Sequence, residues 1–199
     1  GPNISRLPSE VISSYLNPST TAILVPSEWV AKLYRANCPE ISDKIKIWAA
    51  GVDPDYWSAS TRRPYRNGQK NVCIYAKNAT VQETNAVKKF CQSRGWSASI
   101  VRYGHHSRPK YRQVLDSSSC VVYLGGSESQ GLAMFEAWSM DRPTFVRSDV
   151  GRLDPALAQS ESRCSSKRLF SPYLSEQTGA FWNSYETLGA WLERHDSWL

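Results

Sequence analysis

"NVCIYAKNATVQETNAVKKFCQSRGWSASIVRY", residues 71–103, decides the fold class. Its first six residues form a β-rich apolar run, residues 81–94 follow a helical pattern, and "SASIVRY" (97–103) is β-rich again. Gly95 stands where a helix closes on a C-cap glycine. Strand, helix and strand follow one another, and the alternation continues downstream: a helix over 108–116, a strand in "SCVVYL" (119–124), a helix over 130–140 and a strand in "PTFVR" (143–147). "SYETLGAWLERH" (184–195) reads as an amphipathic helix with Leu188, Trp191 and Leu192 inward. Upstream, "TAILV" (21–25) and "KIKIWA" (44–49) are strands, with Ser27 as N-cap of the helix "EWVAKLYRAN" and Trp29, Val30 and Leu33 on one of its faces. Repeated β-α alternation predicts an α/β fold, a parallel sheet with helices on both faces.

Composition bounds the reading. The chain has 199 residues, 41% of them hydrophobic, enough for a core. Gly1-Pro2 resembles the scar of a cleaved expression tag, so the expectation is one domain over 3–199, with a leading segment at 3–60, a core at 70–199, and further domains in a longer parent chain. No apolar run reaches the roughly 18 to 20 residues of a transmembrane helix. The five cysteines include no Cys-x-x-Cys pair, and Cys73 and Cys120 lie in apolar strands, which predicts reduced thiols, a cytoplasmic location and no metal site. Trp29, Trp48, Trp138 and Trp191 are expected inward, and His105 and His106 as a solvated pair.

A net charge of +6 invites three readings: a solvated face, a field for an anionic phosphate ligand, or nucleic acid. The densest basic stretch is "VRYGHHSRPKYRQ" (101–113). Basic excess alone is weak evidence, so no nucleic-acid partner is expected.

In open parallel sheets ligands bind beyond the carboxyl ends of the strands. Three connections therefore matter: "AKNAT" after residue 75, "GHHSR" after 103 and "GGSESQG" after 124. If the third opens a helix near Gln130 or Gly131, its unpaired N–H groups favour an anion, and glycine lets a phosphate approach closely. Glu136, about two turns further on, suits paired hydroxyls such as those of a ribose, with Glu128 at the other end of the same ligand. Taken alone, the two acids fit equally a helix-dipole partner and a surface residue.

The flanks of these glutamates carry more. "SESQGLAMFEAWSMDRPTFVRSDVG" (127–151) resembles the Glu-x7-Glu segment of retaining, nucleotide-sugar-dependent glycosyltransferases of the two-domain GT-B fold. "LVPSEWVAKLYRANCPEISDKIKIWAAGVDPDYW" (24–57) is similar to that family's lead into its donor domain, and "SPYLSEQTGAFW" (171–182) to its closing segment. The resemblance implies a Rossmann-like donor-binding domain that transfers a hexosyl or deoxyhexosyl unit from a nucleoside diphosphate sugar, with a uridine donor as the commonest case, to a glycan or other hydroxyl acceptor, without metal or cofactor. It puts Glu136 on the ribose, Glu128 near the transferred sugar as the catalytic group, Lys77 and the backbone of Gly131 and Leu132 on the diphosphate beside Gln130, and Tyr103-Gly104 near the base. Gly51 would permit close packing, Asp53 would be structural and Trp57 would plug the cleft. "AKNAT" supplies one Lys where the family often has two basic residues, with Arg102, Arg108 or Lys110 as substitutes. The family's acceptor-binding half has no counterpart in this chain, which leaves as alternatives a nucleotide- or glycan-binding module of the same fold without turnover and, outside the family, a basic nucleic-acid-binding domain.

Overall fold

The protein was analysed as a computed structural model that describes residues 9–59, 70–149 and 169–195. The chain divides into two compact units: one comprises 1–51, 127–131 and 154–173, the other 52–126, 132–153 and 174–199.

The second unit carries the sheet. Its strands are β3 (Asn71–Ala76), β4 (Ser97–Arg102), β5 (Cys120–Leu124), β6 (Thr144–Arg147) and β7 (Gly179–Trp182), all parallel in the order β4-β3-β5-β6-β7. Helices α3 (Val81–Ser93), α4 (Arg108–Asp116), α5 (Leu132–Trp138) and α6 (Tyr185–Glu193) cover it. Parallel strands need crossovers, and the crossovers bury both faces, so β5 reads as an unbroken apolar run and is buried at every residue. On one face Val72, Ile74, Val122, Leu124 and Phe145 pack with Val87 and Cys91 of α3 and Leu188 and Leu192 of α6. Alternation turns Tyr75 and Tyr123 to the other face, where their rings stack 5.2 Å apart and Tyr75 meets Tyr111 of α4 at 5.1 Å. The Tyr111 hydroxyl donates to the Ala133 carbonyl of α5 at 2.9 Å, so α4 and α5 share that face. The chain therefore has the α/β, Rossmann-like architecture expected from its alternation.

Local chemistry fixes the ends. Thr80 caps α3 through a reciprocal box with Glu83, and Gly95 follows the helix at φ 79°, its N–H on the Gln92 carbonyl. Ser107 caps α4 and Ser184 caps α6.

In the first unit β1 (Ile23–Val25) pairs in parallel with β2 (Ile45–Ile47), while α2 (Glu28–Asn37) buries Trp29, Val30, Ala31 and Tyr34. Helix α1 (Ser9–Leu16) and the 3-10 turn Pro39–Lys44 belong to the same unit, and the Lys44 ammonium caps the end of α1 on the Tyr15 and Asn17 carbonyls at 3.0 and 2.9 Å.

Several expectations need correction. Trp48 is 69% exposed, because β2 ends at Ile47 and the ring lies past the last paired residue. Ser27 is the N-cap of α2 by position, but its buried hydroxyl makes no capping bond. Open space surrounds the Cβ position of Gly51, so close packing does not require a glycine there. Cys38, Cys73, Cys91 and Cys120 are buried thiols, and Cys164 lies outside the described residues. Burial pushes the Cys91 thiol up to about 12. Among the described residues no helix is long and apolar enough to cross a membrane.

Two glycines with positive φ separate strain from crowding. Gly179 opens β7 at φ 144°, and a Cβ there would lie 2.0 Å from the Thr144 carbonyl oxygen of β6. Gly95, at φ 79°, has nothing within 4 Å. Urea denaturation is expected to show Gly95→Ala losing about 1 kcal/mol from backbone strain alone. Gly179→Ala is expected to lose about 3 kcal/mol, because backbone atoms of a central strand must move.

Candidate functional site

Strand β3 sits between β4 and β5, so the chain leaves it first to one side and then returns past it to the other. At such a reversal the connections diverge and open a crevice beyond the carboxyl ends of the two strands. Those ends lie side by side: the Lys77 N–H donates to the Leu124 carbonyl at 2.8 Å. Asn78 follows at φ 60°, and Gly125 and Gly126, both buried, follow β5. The Tyr103 N–H bonds the Ala76 carbonyl at 3.0 Å, which holds the end of β4 at the same rim.

Three of the residues singled out by sequence meet here. The Lys77 ammonium lies 4.8 Å from the centroid of the Tyr103 ring, which is 58% exposed, and Gly104 follows at φ 76°. The ring positions the lysine by a cation–π contact and leaves an aromatic surface open. His105 is exposed as expected. His106 departs from that reading: it is half-buried, wedged edge-on against Tyr75 and Tyr111, with Nδ1 2.7 Å from the Arg102 carbonyl. A carbonyl only accepts, so Nδ1 carries the proton and Nε2 is an acceptor while the ring is neutral.

Helix α5 is shorter than the sequence suggests. It starts at Leu132, which is exposed, so Glu136 lies little more than one turn inside. Its carboxyl is half-buried, and burial raises it from 4.5 to about 7 even though the Arg108 guanidinium pulls it back down. Arg108 stands on the first turn of α4, exposed, 5.0 Å from the Tyr56 ring centroid and 5.6 Å from that of Trp57. Arg112, four residues on, lies 5.3 Å from the same Tyr56 ring. This paired arginine contact escaped the sequence reading, though the i, i+4 spacing placed both side chains on one helix face. Asp53 shapes the loop, its Oδ1 accepting from the Asp55 and Tyr56 N–H groups. Trp57 is fully buried against Tyr56 and Tyr111.

The remaining candidates belong to the first unit. Glu128 is 3% exposed, more buried than Glu136. Its N–H donates to the Leu169 carbonyl at 2.7 Å, and its carbonyl accepts from Trp29 Nε1 at 2.9 Å. The Gln130 side-chain amide is bound on both sides by the backbone of Ala50, and Gly131 follows at φ 87°. The 127–131 segment is thus held by its backbone and by Gln130.

No protein-family model matches this chain, and no curated protein matches it significantly.

The raised carboxyl of Glu136 has a defined pH signature. Between 4.5 and about 7 the folded state holds a proton that the unfolded state has released, so this group makes stability fall as pH rises through that window. Glu136→Gln is expected to match the parent protein below about pH 4 and to be the more stable of the two above about pH 7, with thermal midpoints across the range as the measurement.

Proposed function

We propose that the second unit binds the nucleotide end of a sugar nucleotide, and that the protein belongs to a retaining glycosyltransferase which passes a hexosyl or deoxyhexosyl unit to a hydroxyl acceptor. The observation that carries this reading is the half-buried Glu136 beside the cationic Arg108, on the helices that follow β5 and β4, in a sheet whose strand order reverses at β3. A carboxylate that accepts two O–H bonds suits a ribose diol, and ligand hydroxyls would replace the solvation that burial removes.

On this reading Lys77 takes the diphosphate, and the Tyr103 surface lies toward the base. Positive charge fixed where the leaving diphosphate gains negative charge lowers the barrier to an oxocarbenium-like transition state. Uridine diphosphate is the first donor to try, and a cytoplasmic site of glycan assembly suits buried reduced thiols. The alternative, a nucleotide- or glycan-binding module without turnover, gains support from one observation: Glu128, the residue given the catalytic role, is almost wholly buried.

Thermal unfolding against a panel of nucleoside diphosphates tests the binding. A ligand at about 100 times its Kd adds about 2.7 kcal/mol, a rise in midpoint of roughly 5 to 10 °C for a chain of this size. One diphosphate is expected to give that rise and Glu136→Ala to abolish it; a flat panel would sink the reading. Release of nucleoside diphosphate from a donor that binds favours the enzyme, and binding with no release favours the module.

A further inference from the structure

We propose that the outer edge of β4 is a docking edge for an extended, acidic segment of a partner protein, which adds to the sheet as a further strand. The inference is independent of the nucleotide site and rests on two observations: an open, regular strand edge, and the charge that surrounds it.

Among the described residues strand β4 ends the sheet, with β3 as its neighbour in the strand order, and all six of its residues pair in register with Asn71–Ala76. The Ser97 N–H bonds the Lys70 carbonyl at 2.8 Å and the Tyr103 N–H bonds the Ala76 carbonyl at 3.0 Å. In a parallel ladder alternate residues face the neighbour, so Ser97, Ser99, Val101 and Tyr103 face β3 while Ala98, Ile100 and Arg102 turn their backbone groups away. The Arg102 carbonyl is taken by the His105 N–H and His106 Nδ1, which closes one end of the edge. Among the described residues no hydrogen bond reaches the outward groups of Ala98 and Ile100. Ser97 and Ser99 are exposed and small, so the backbone is open to approach. Proteins usually blunt such an edge with proline, lysine or a bulge; "SASIV" has no proline or lysine, and its register is continuous.

Charge determines what can pair there. From Thr84 to Leu115 there is no Asp or Glu and there are seven Lys or Arg, so against a total of +6 the rest of the chain sums to −1. That run is most of α3, all of β4 and nearly all of α4: the edge strand with the helix before it and the helix after it, α3 packing on one face of the sheet through Val87 and Cys91 and α4 on the other face, against Tyr75 of β3, through Tyr111. Lys89 and Lys110 are exposed, one on each helix. A second copy of the chain, edge to edge, would oppose one such run with another, and like charges within a Debye length of about 8 Å repel. Charge thus guards against self-pairing where the strand carries no guard of its own, and it attracts an acidic strand. Strand addition supplies affinity through the main chain, while the flanking charges supply selectivity.

The test uses the whole chain and a synthetic peptide alternating Glu with Val, with a Lys-for-Glu peptide as control. The acidic peptide is expected to bind and to slow amide exchange at Ala98 and Ile100, and the basic one to leave both unchanged. Ala98→Pro removes an outward N–H that makes no bond to β3, so the sheet should survive while affinity falls by about tenfold or more. Should that variant misfold, an acidic peptide N-methylated at alternate residues asks the same of the unmodified protein and is expected to lose binding. Lys89→Glu with Lys110→Glu should weaken the acidic peptide and admit the basic one. The proposal is overturned if Ala98→Pro or the N-methylated peptide binds as before, if protection falls elsewhere, or if a single-stranded oligonucleotide binds with equal strength to the parent and to Ala98→Pro, which would make this a phosphate-binding face.

Discussion

Strand β3 is hydrogen-bonded in parallel on both edges, to β4 and to β5, and the rest of the second unit follows from that. Parallel neighbours cannot be joined by tight turns, so each connection must cross the sheet and becomes a helix that buries a face. Two faces buried at once require a strand that is apolar at successive residues, as "VCIYA" is. The same two-sided pairing sends one connection each way and leaves a crevice where they part, which brings Lys77, Tyr103 and Gly125 to one rim.

Burial sets the chemistry of the two glutamates. Glu136 is half-buried, and its carboxyl titrates near 7 because water is withdrawn from it faster than Arg108 compensates. An exposed guanidinium is screened by solvent, so its pull is weaker than the loss of hydration. Glu128 is anchored at its backbone by Leu169 and Trp29, residues far away in sequence. A ligand role is physically easier to grant to the half-buried acid than to the enclosed one.

The charge of the chain is less a bulk property than a local one. An acid-free stretch that ran along a loop would be a solvated tail; this one folds into the border of a sheet. The arginines of α4 are partly engaged by aromatic rings, Arg108 and Arg112 both on Tyr56, so they act as packing as well as charge. Lys110 and Lys89 stand exposed at the surface.

The sequence by itself determined the fold class and, outside α1, the 3-10 turn Pro39–Lys44 and β7, the elements that build it, because a period of two in "SASIVR" or of 3.6 in "YETLGAWLE" is local and survives any tertiary arrangement. The helices at 28–37 and 108–116 and the strand at 71–76 lie where periodicity put them, and Gly95 closes α3 as its position suggested. β7 escaped notice because "GAFW" is short and opens on a glycine whose φ of 144° is set by its approach to Thr144. In the candidate site the residue types were legible and their surroundings were not. Only the tertiary structure decided that Glu128 is the enclosed acid and Glu136 the half-buried one, that His106 is oriented by the Arg102 carbonyl, and that Trp48 faces solvent. Periodicity reports which face of an element is apolar, whereas burial, titration and orientation depend on what other parts of the chain pack against it, and those partners lie dozens of residues away.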